Sequence, residues 1–224
     1  MDQEKMPVEL YLIHTDFLNN EEVFRQKLKQ VSEKRREKVL NCKIRNDQNR
    51  SLAAGLLLED LLKYHEINPD LVETDANGKP YLPERKDFFF SLSHSGDYAA
   101  CAICDVPVGV DIQQKRNTNA NIAKRFFKTE ETEIIEKQPV EKRGDLFFRY
   151  WTGKESYLKL TGQGIFKGLD GFFVDLDEKK IVDEYNHNQE IYLKEYRCLE
   201  DYYISVACYS KNFAMFVKKI FYRI

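Results

Sequence analysis

The chain has 224 residues, enough to bury a sizeable core in one large domain or two small ones. Lys and Arg number 35 against 37 for Asp and Glu, and the resulting net charge of −2 argues against a general nucleic-acid binder, so any anion site must be a local concentration of charge. The N-terminal MDQEKMPVELYLIHTD carries acids where a signal peptide would be basic, and no uncharged apolar run approaches the ~20 residues that span a bilayer, so the expectation is a cytoplasmic protein without a membrane partner.

In chain order, VELYLIH reads as an opening strand, followed by a charged helical region centred on VSEKRREKVLNCK. RSLAAGLLLEDLLKYH places apolar residues at helical spacing from Leu52 to Leu62, and Asn68-Pro69 follows as a stop signal, which predicts a core helix. NGKP at 77–80 is a turn, and FFFSLSHSG and DYAACAICDVPVGVDI read as strands joined at Ser95-Gly96-Asp97. The five cysteines are irregularly spaced and suit reduced thiols; Cys101 and Cys104 form a CxxC, but their opposite parity in YAACAIC points them to opposite faces, with no second CxxC to complete a zinc site. From Pro107 the logic repeats, with a helix around NIAKRFFKTEETEIIEKQ, a longer one through LFFRYWTGKESYLKL, and strands in FFVDLD, EIYLKEYR and YYISVACY. The order predicts an α+β fold of two similar halves, residues 1–106 and 107–224, with the site in the cleft between them.

Three stretches carry the chemistry. In VGVDIQ, alternation sets Val110 and Ile112 on one face and Asp111 and Gln113 on the other, although a polar strand face is ordinarily just solvated. In RYWTGKESYLKLTGQG, Trp151, Glu155, Leu158 and Lys159 share one helical side, with Glu155 and Lys159 as an i,i+4 pair. An exposed pair of that kind stabilises by only about 0.3–0.5 kcal/mol. The chain's only tryptophan, one turn before Glu155, argues that this face is partly buried, where carboxylates and amines usually serve a purpose. SLSHSG raises a serine hydrolase built from Ser93 or Ser95 with His94, but no G-x-S-x-G elbow is present and adjacent Ser and His on a strand point apart. A hydroxyl, an imidazole and turn N–H groups at a strand end suit an anion instead.

Taken in order from about Ser32 to Gly164, the segments SEKRREK, RSLAAG, NGKPYL, FSLSHSG, VGVDIQ, AKRFFKTEE and WTGKESYLKLTGQGI resemble the Sfp-type 4′-phosphopantetheinyl transferases. The resemblance implies a pseudo-twofold α+β fold enclosing coenzyme A and a divalent metal, magnesium with manganese as a substitute. It implies transfer of the phosphopantetheine arm of coenzyme A to a serine hydroxyl of an apo acyl, peptidyl or aryl carrier protein, with release of adenosine 3′,5′-bisphosphate. By resemblance, Arg35, Lys38 and Arg50 serve the phosphates, Lys79 with Pro80 holds the adenine end, and Ser93 and His94 hydrogen-bond phosphate oxygens. Asp111 and Glu155 match the metal-binding acids, Glu155 also stands as a base for the serine proton, and Lys159 neutralises the diphosphate. Glu130, in KTEE, matches a further acidic position. The expected protein is a cytoplasmic monomer that takes no nucleic acid.

Gln113 departs from the common G-[IV]-D-[IV]-E pattern, in which it would be a second acid. Its amide oxygen can still ligate the metal or bond a metal-bound water, but adds no charge, so the metal set becomes Asp111, Glu155 and Gln113 with the diphosphate. Two other classes use the same residues: a coenzyme A or carrier-protein binding module without transfer, and a metal-dependent phosphoryl hydrolase that cleaves coenzyme A without a carrier.

Overall fold

Alternating burial on adjacent strands sets the architecture of the computed structural model, which describes residues 5–116, 120–164, 168–184 and 189–222. First come β1 (Glu9–His14), α1 (Glu21–Leu28), α2 (Glu33–Leu40), α3 (Arg45–Tyr64), β2 (Glu73–Thr74), β3 (Pro80–Tyr81), β4 (Phe89–Ser95) and β5 (Tyr98–Cys104). Then follow β6 (Val108–Gln114), α4 (Ala120–Phe126), α5 (Thr129–Glu136), α6 (Val140–Thr161), β7 (Phe173–Asp175), β8 (Lys180–Val182), β9 (Ile191–Tyr196), β10 (Tyr202–Cys208) and β11 (Lys218–Ile220). Among the described residues the strands make a four-stranded sheet ordered β11-β1-β5-β4, a five-stranded sheet ordered β6-β10-β9-β8-β7, and the hairpin β2-β3. No described helix is long and apolar enough to cross a membrane.

The period of two decides which layers meet. On β1, Leu10 and Leu12 face one side while Tyr11 and Ile13 face the other; on β5, Ala100, Ala102 and Cys104 oppose Ala99, Cys101 and Ile103. The first sheet therefore packs α3 on one face and the second sheet on the other, where Val108, Val110 and Ile112 of β6 join Ile204, Val206 and Cys208 of β10. Helix α6 covers the outer face of the second sheet. Cys101 and Cys104 lie in different clusters, as their parity predicts.

The two sheets also meet edge to edge. Ser91, Ser93 and Ser95, on one face of β4, accept hydrogen bonds from the backbone N–H groups of Val110 (3.1 Å), Ile112 (3.3 Å) and Gln114 (3.0 Å) on β6. Three hydroxyls thus satisfy edge donors that would otherwise be left unpaired by the change of sheet.

The helix expected around NIAKRFFKTEETEIIEKQ is two helices in the structure. Lys128 is extended at φ −61° and ψ 150°, and its N–H donates to Glu131 Oε2 at 3.0 Å, so Glu131 opens α5 as a new helix. Helix α1, β8 and β11 go beyond the predicted elements; β11 pairs in parallel with β1, so the last strand of the second half completes the first sheet. Helix α6 ends at Gly162, whose φ of 69° is the left-handed conformation that glycine adopts without penalty.

Gly109 is where β6 and α6 approach most closely: a Cβ there would enter the van der Waals shells of the Ser156 carbonyl oxygen and the Leu160 nitrogen. Gly109→Ala must push the helix off the strand, and we expect it to destabilise the protein by about 1–3 kcal/mol, the cost of overpacking, as a lowered urea midpoint.

Candidate active site

Where β4, β6 and α6 converge, a cavity of about 540 Å³ is walled by both halves of the chain. A larger groove of about 760 Å³ lies beside the N-terminal half of α6, and in it Arg149 pairs with Glu195 at 2.7 Å and Lys115 with Asp145 at 2.7 Å. The chemistry-bearing residues gather in the smaller one. Asp111 and Gln113 reach it from β6, and Trp151, Glu155, Leu158 and Lys159 reach it together from α6.

Asp111 is only 6% exposed. Its Oδ1 accepts from Lys159 Nζ at 2.6 Å and from Ser93 Oγ at 2.8 Å, and Lys159 Nζ also donates to Ser93 Oγ at 2.8 Å. The i,i+4 pair expected between Glu155 and Lys159 is therefore not closed: the ammonium turns across the cavity to Asp111. Burial, and then the neighbouring Asp111 charge, push the Glu155 carboxyl above its usual range, with Lys159 opposing. Gln113 donates from Nε2 to its neighbour's carbonyl at 3.3 Å, leaving its side-chain oxygen as the group it offers the site.

The cationic wall comes from the first half. Arg35 lies across α3, so close to Gly55 that a Cβ there would stand 2.6 Å from its Cδ and Cγ. Burial works against the Arg35 charge while Glu59 favours it, and burial likewise lowers Lys38, with Arg35 adding to the effect. Lys79 and Pro80 line the cavity as well; Lys79 Nζ donates to the Leu160 carbonyl at 3.1 Å, and burial lowers its pKa. His94 stands at the open rim, where partial loss of water, then the Lys159 and Arg50 charges, hold its imidazole below the ordinary range. Among the described residues, the lining counts Arg35, Lys38, Lys79 and Lys159 against Asp111 and Glu155, an excess of cations in a chain of net charge −2.

Arg50 stands outside this lining. It donates to the Gly96 carbonyl at 3.0 Å and pairs with Asp47, holding the turn that follows His94. Glu130 is exposed on α5 and also lies outside the lining; its neighbour Glu131 is the buried acid, paired with Lys154 at 2.7 Å. The motif's Ile165 lies outside the described residues. Sequence reasoning missed Ser51, a buried serine of the cavity wall whose Oγ has no described hydrogen-bond partner. Its position, immediately after Arg50 in RSLAAG, is the one signal that could have found it.

Comparison with known proteins decides the family. Residues 107–207 match the family described as 4′-phosphopantetheinyl transferase superfamily, and residues 18–105 match 4′-phosphopantetheinyl transferase, N-terminal. The chain is 30% identical to the 4′-phosphopantetheinyl transferase Sfp of Bacillus subtilis (strain 168), over 92% of this chain and 94% of that one. The chain belongs to the 4′-phosphopantetheinyl transferase family. It is also 38% identical to the transferase psf-1 of Bacillus pumilus, over 59% of this chain and 58% of that one. The holo-[acyl-carrier-protein] synthase of Thermotoga maritima superposes with a TM-score of 0.39 at 14% identity, covering 46% of this chain and 62% of that one.

For a phosphopantetheinyl transferase the donor set fits a hard divalent cation. Two carboxylates, Asp111 and Glu155, repel one another in a partly buried space, which a small cation relieves, and the Gln113 amide adds a neutral oxygen. Among the described residues no cluster of three or more His, Cys, Asp or Glu could hold a metal, so a cation held here would take its remaining ligands from bound substrate or water.

The transferase's other buried ion pair is structural. Lys154 Nζ meets Glu131 Oε2 at 2.7 Å and the carbonyls of Leu169 (2.6 Å) and Phe172 (2.9 Å), while Glu131 accepts the N–H groups of Val174 and Lys128. Glu131→Ala strands a fully buried ammonium, and we expect a loss of about 3–5 kcal/mol in denaturant unfolding, with Lys154→Met added to it recovering part.

Proposed function

We propose that the chain is a magnesium-dependent transferase that moves the phosphopantetheine arm of coenzyme A to the serine hydroxyl of an apo acyl, peptidyl or aryl carrier protein, and that manganese substitutes for magnesium. The observation that carries this reading is the meeting of Asp111, Glu155 and Lys159 with the cations of the first half in one cavity. The same reading makes the two halves, residues 1–106 and 107–224, pseudo-symmetric partners around a cleft, and the protein a cytoplasmic monomer.

Arg35, Lys38 and His94 take the phosphates of coenzyme A, with the free hydroxyl of Ser51 as an added donor. Lys79 and Pro80 hold the adenine end, and Arg50 acts by fixing the turn after His94. A cation held by Asp111, Glu155 and the Gln113 oxygen supplies neutralising charge on the diphosphate. Lys159 places its ammonium on the same diphosphate and offsets charge on the departing oxygen. Glu155 accepts the carrier serine's proton, directly or through water, as that oxygen attacks the β-phosphorus. Adenosine 3′,5′-bisphosphate leaves.

Incubation with magnesium, coenzyme A and diverse apo carrier proteins should add one phosphopantetheine mass to a carrier; coenzyme A binding with no mass gain on any carrier would sink the transfer reading. Replacing Lys38 or His94 with Ala should weaken coenzyme A binding by about 1.5–3 kcal/mol in calorimetry, the scale of a charge-assisted hydrogen bond.

The metal roles separate by charge. Asp111→Ala should nearly abolish transfer, Gln113→Ala should reduce it modestly, and Gln113→Glu should lower the magnesium needed for half-maximal rate, because hard cations favour an added anionic oxygen. Three superimposable magnesium titrations for wild type and the two Gln113 variants would remove Gln113 from the site.

A further inference from the structure

Lys159 has two possible partners and takes the more distant in sequence. Glu155, one helical turn away, receives no hydrogen bond from any described side chain, whereas Lys159 Nζ sits 2.6 Å from Asp111 Oδ1 across the cavity. Ser93 secures that choice. Its Oγ accepts from Lys159 and from the Ile112 N–H and donates to Asp111 Oδ1, so the hydroxyl's proton and lone pairs are committed. Every described contact to the Asp111 carboxylate falls on Oδ1, which leaves Oδ2 without a described donor.

Resting on the transferase reading, we propose that Lys159 is the internal counter-ion of the ligand-free site: it stands in for the divalent cation at Asp111, and surrenders that carboxylate to the cation as a diphosphate arrives to receive the ammonium.

Charge makes the two arrivals interdependent. Asp111 is buried and needs a positive partner, which Lys159 provides in the free protein. A divalent cation entering beside Asp111 and Glu155 competes directly with the ammonium, so the pair of acids binds it weakly while Lys159 stays. A diphosphate offers the displaced ammonium a new anion, and the flexible four-carbon stem, 29% exposed at the cavity wall, lets it move without shifting α6. By linkage the cation must then tighten coenzyme A as much as coenzyme A tightens the cation. In the free protein Ser93 is a positioning residue for Asp111 and Lys159, its hydroxyl proton given to Asp111.

The test reads manganese binding by the resonance of the free ion, for full-length wild type, Lys159→Met and Lys115→Met, each alone and with saturating coenzyme A. Removing the competing ammonium should tighten manganese binding to the free protein by about tenfold or more, and shrink the further tightening caused by coenzyme A by a similar factor. Lys115→Met removes a cation that pairs with Asp145 outside the cavity and does not touch Asp111, and should change free-state binding by less than about threefold. Equal manganese affinity for Lys159→Met and wild type would overturn the proposal, as would an equal gain from Lys115→Met. Lys159→Gln reads the same quantity should the Met variant fail to fold. Wild type is assayed in parallel for mass gain on carrier proteins: transfer without the lysine effect defeats this inference alone, and the lysine effect without transfer defeats the transfer reading alone.

Discussion

Three hydrogen bonds from backbone to serine hydroxyl join the edges of two sheets that already share a hydrophobic layer. An edge strand that ends one sheet beside the edge of another has donors that cannot enter a regular ladder, because each sheet sets its own plane. Ser91, Ser93 and Ser95 resolve this by accepting from alternate residues of β6, a period of two answering a period of two. The joint fixes Asp111 opposite Ser93, and through Ser93 it reaches Lys159 on the helix beyond. The cavity lies at this joint, and its acids come from one half while most of its cations come from the other.

Helix α6 carries two lysines with opposite fates, which separates structural from functional charge. Lys154 is fully enclosed, and its ammonium has one carboxylate and two carbonyls, one partner for each of its protons. Nothing is left for a ligand. Lys159 has a carboxylate and a hydroxyl at the wall of a cavity, and stays partly open to solvent. An unsaturated cation facing an unmatched carboxylate, Glu155, is an arrangement that stability alone would not select, since buried charge without full pairing is costly.

Much of the site was legible because it depends on local periodicity. Strand parity put Asp111 and Gln113 on one face, and helical spacing put Trp151, Glu155, Leu158 and Lys159 on one side; all six line the cavity. The parity of SLSHSG also separated the serines from His94. What parity could not supply was the partner: nothing local in the sequence says that those serines bond β6, or that Lys159 prefers Asp111 to Glu155. The same limit hid Glu131, which reads as one acid in a helical run yet breaks that helix in two because its carboxylate serves α5's first turn, Val174 and Lys154 at once. The short strands β8 and β11 escaped because three residues carry too little periodicity to register, and β11 exists only by pairing with a strand about two hundred positions earlier.

Long-range anchoring extends to the end of the helix that carries the chemistry. The last carbonyls of an α-helix have no partner within it. At the end of α6, those of Leu160 and Gly162 receive Lys79 Nζ at 3.1 Å and Asn77 Nδ2 at 2.7 Å, both from the turn between β2 and β3. That turn is held in its own shape by Asp75, whose carboxylate accepts the N–H groups of Asn77 and Lys79. Lys159 is therefore positioned from two directions by the first half of the chain, its ammonium through Ser93 and its backbone turn through the hairpin. Lys79 also lines the cavity, so a ligand that draws its ammonium away loosens one tie on α6 while it gains a cation. The second tie, from Asn77, involves no charge, so such a ligand would leave it in place and the helix end held.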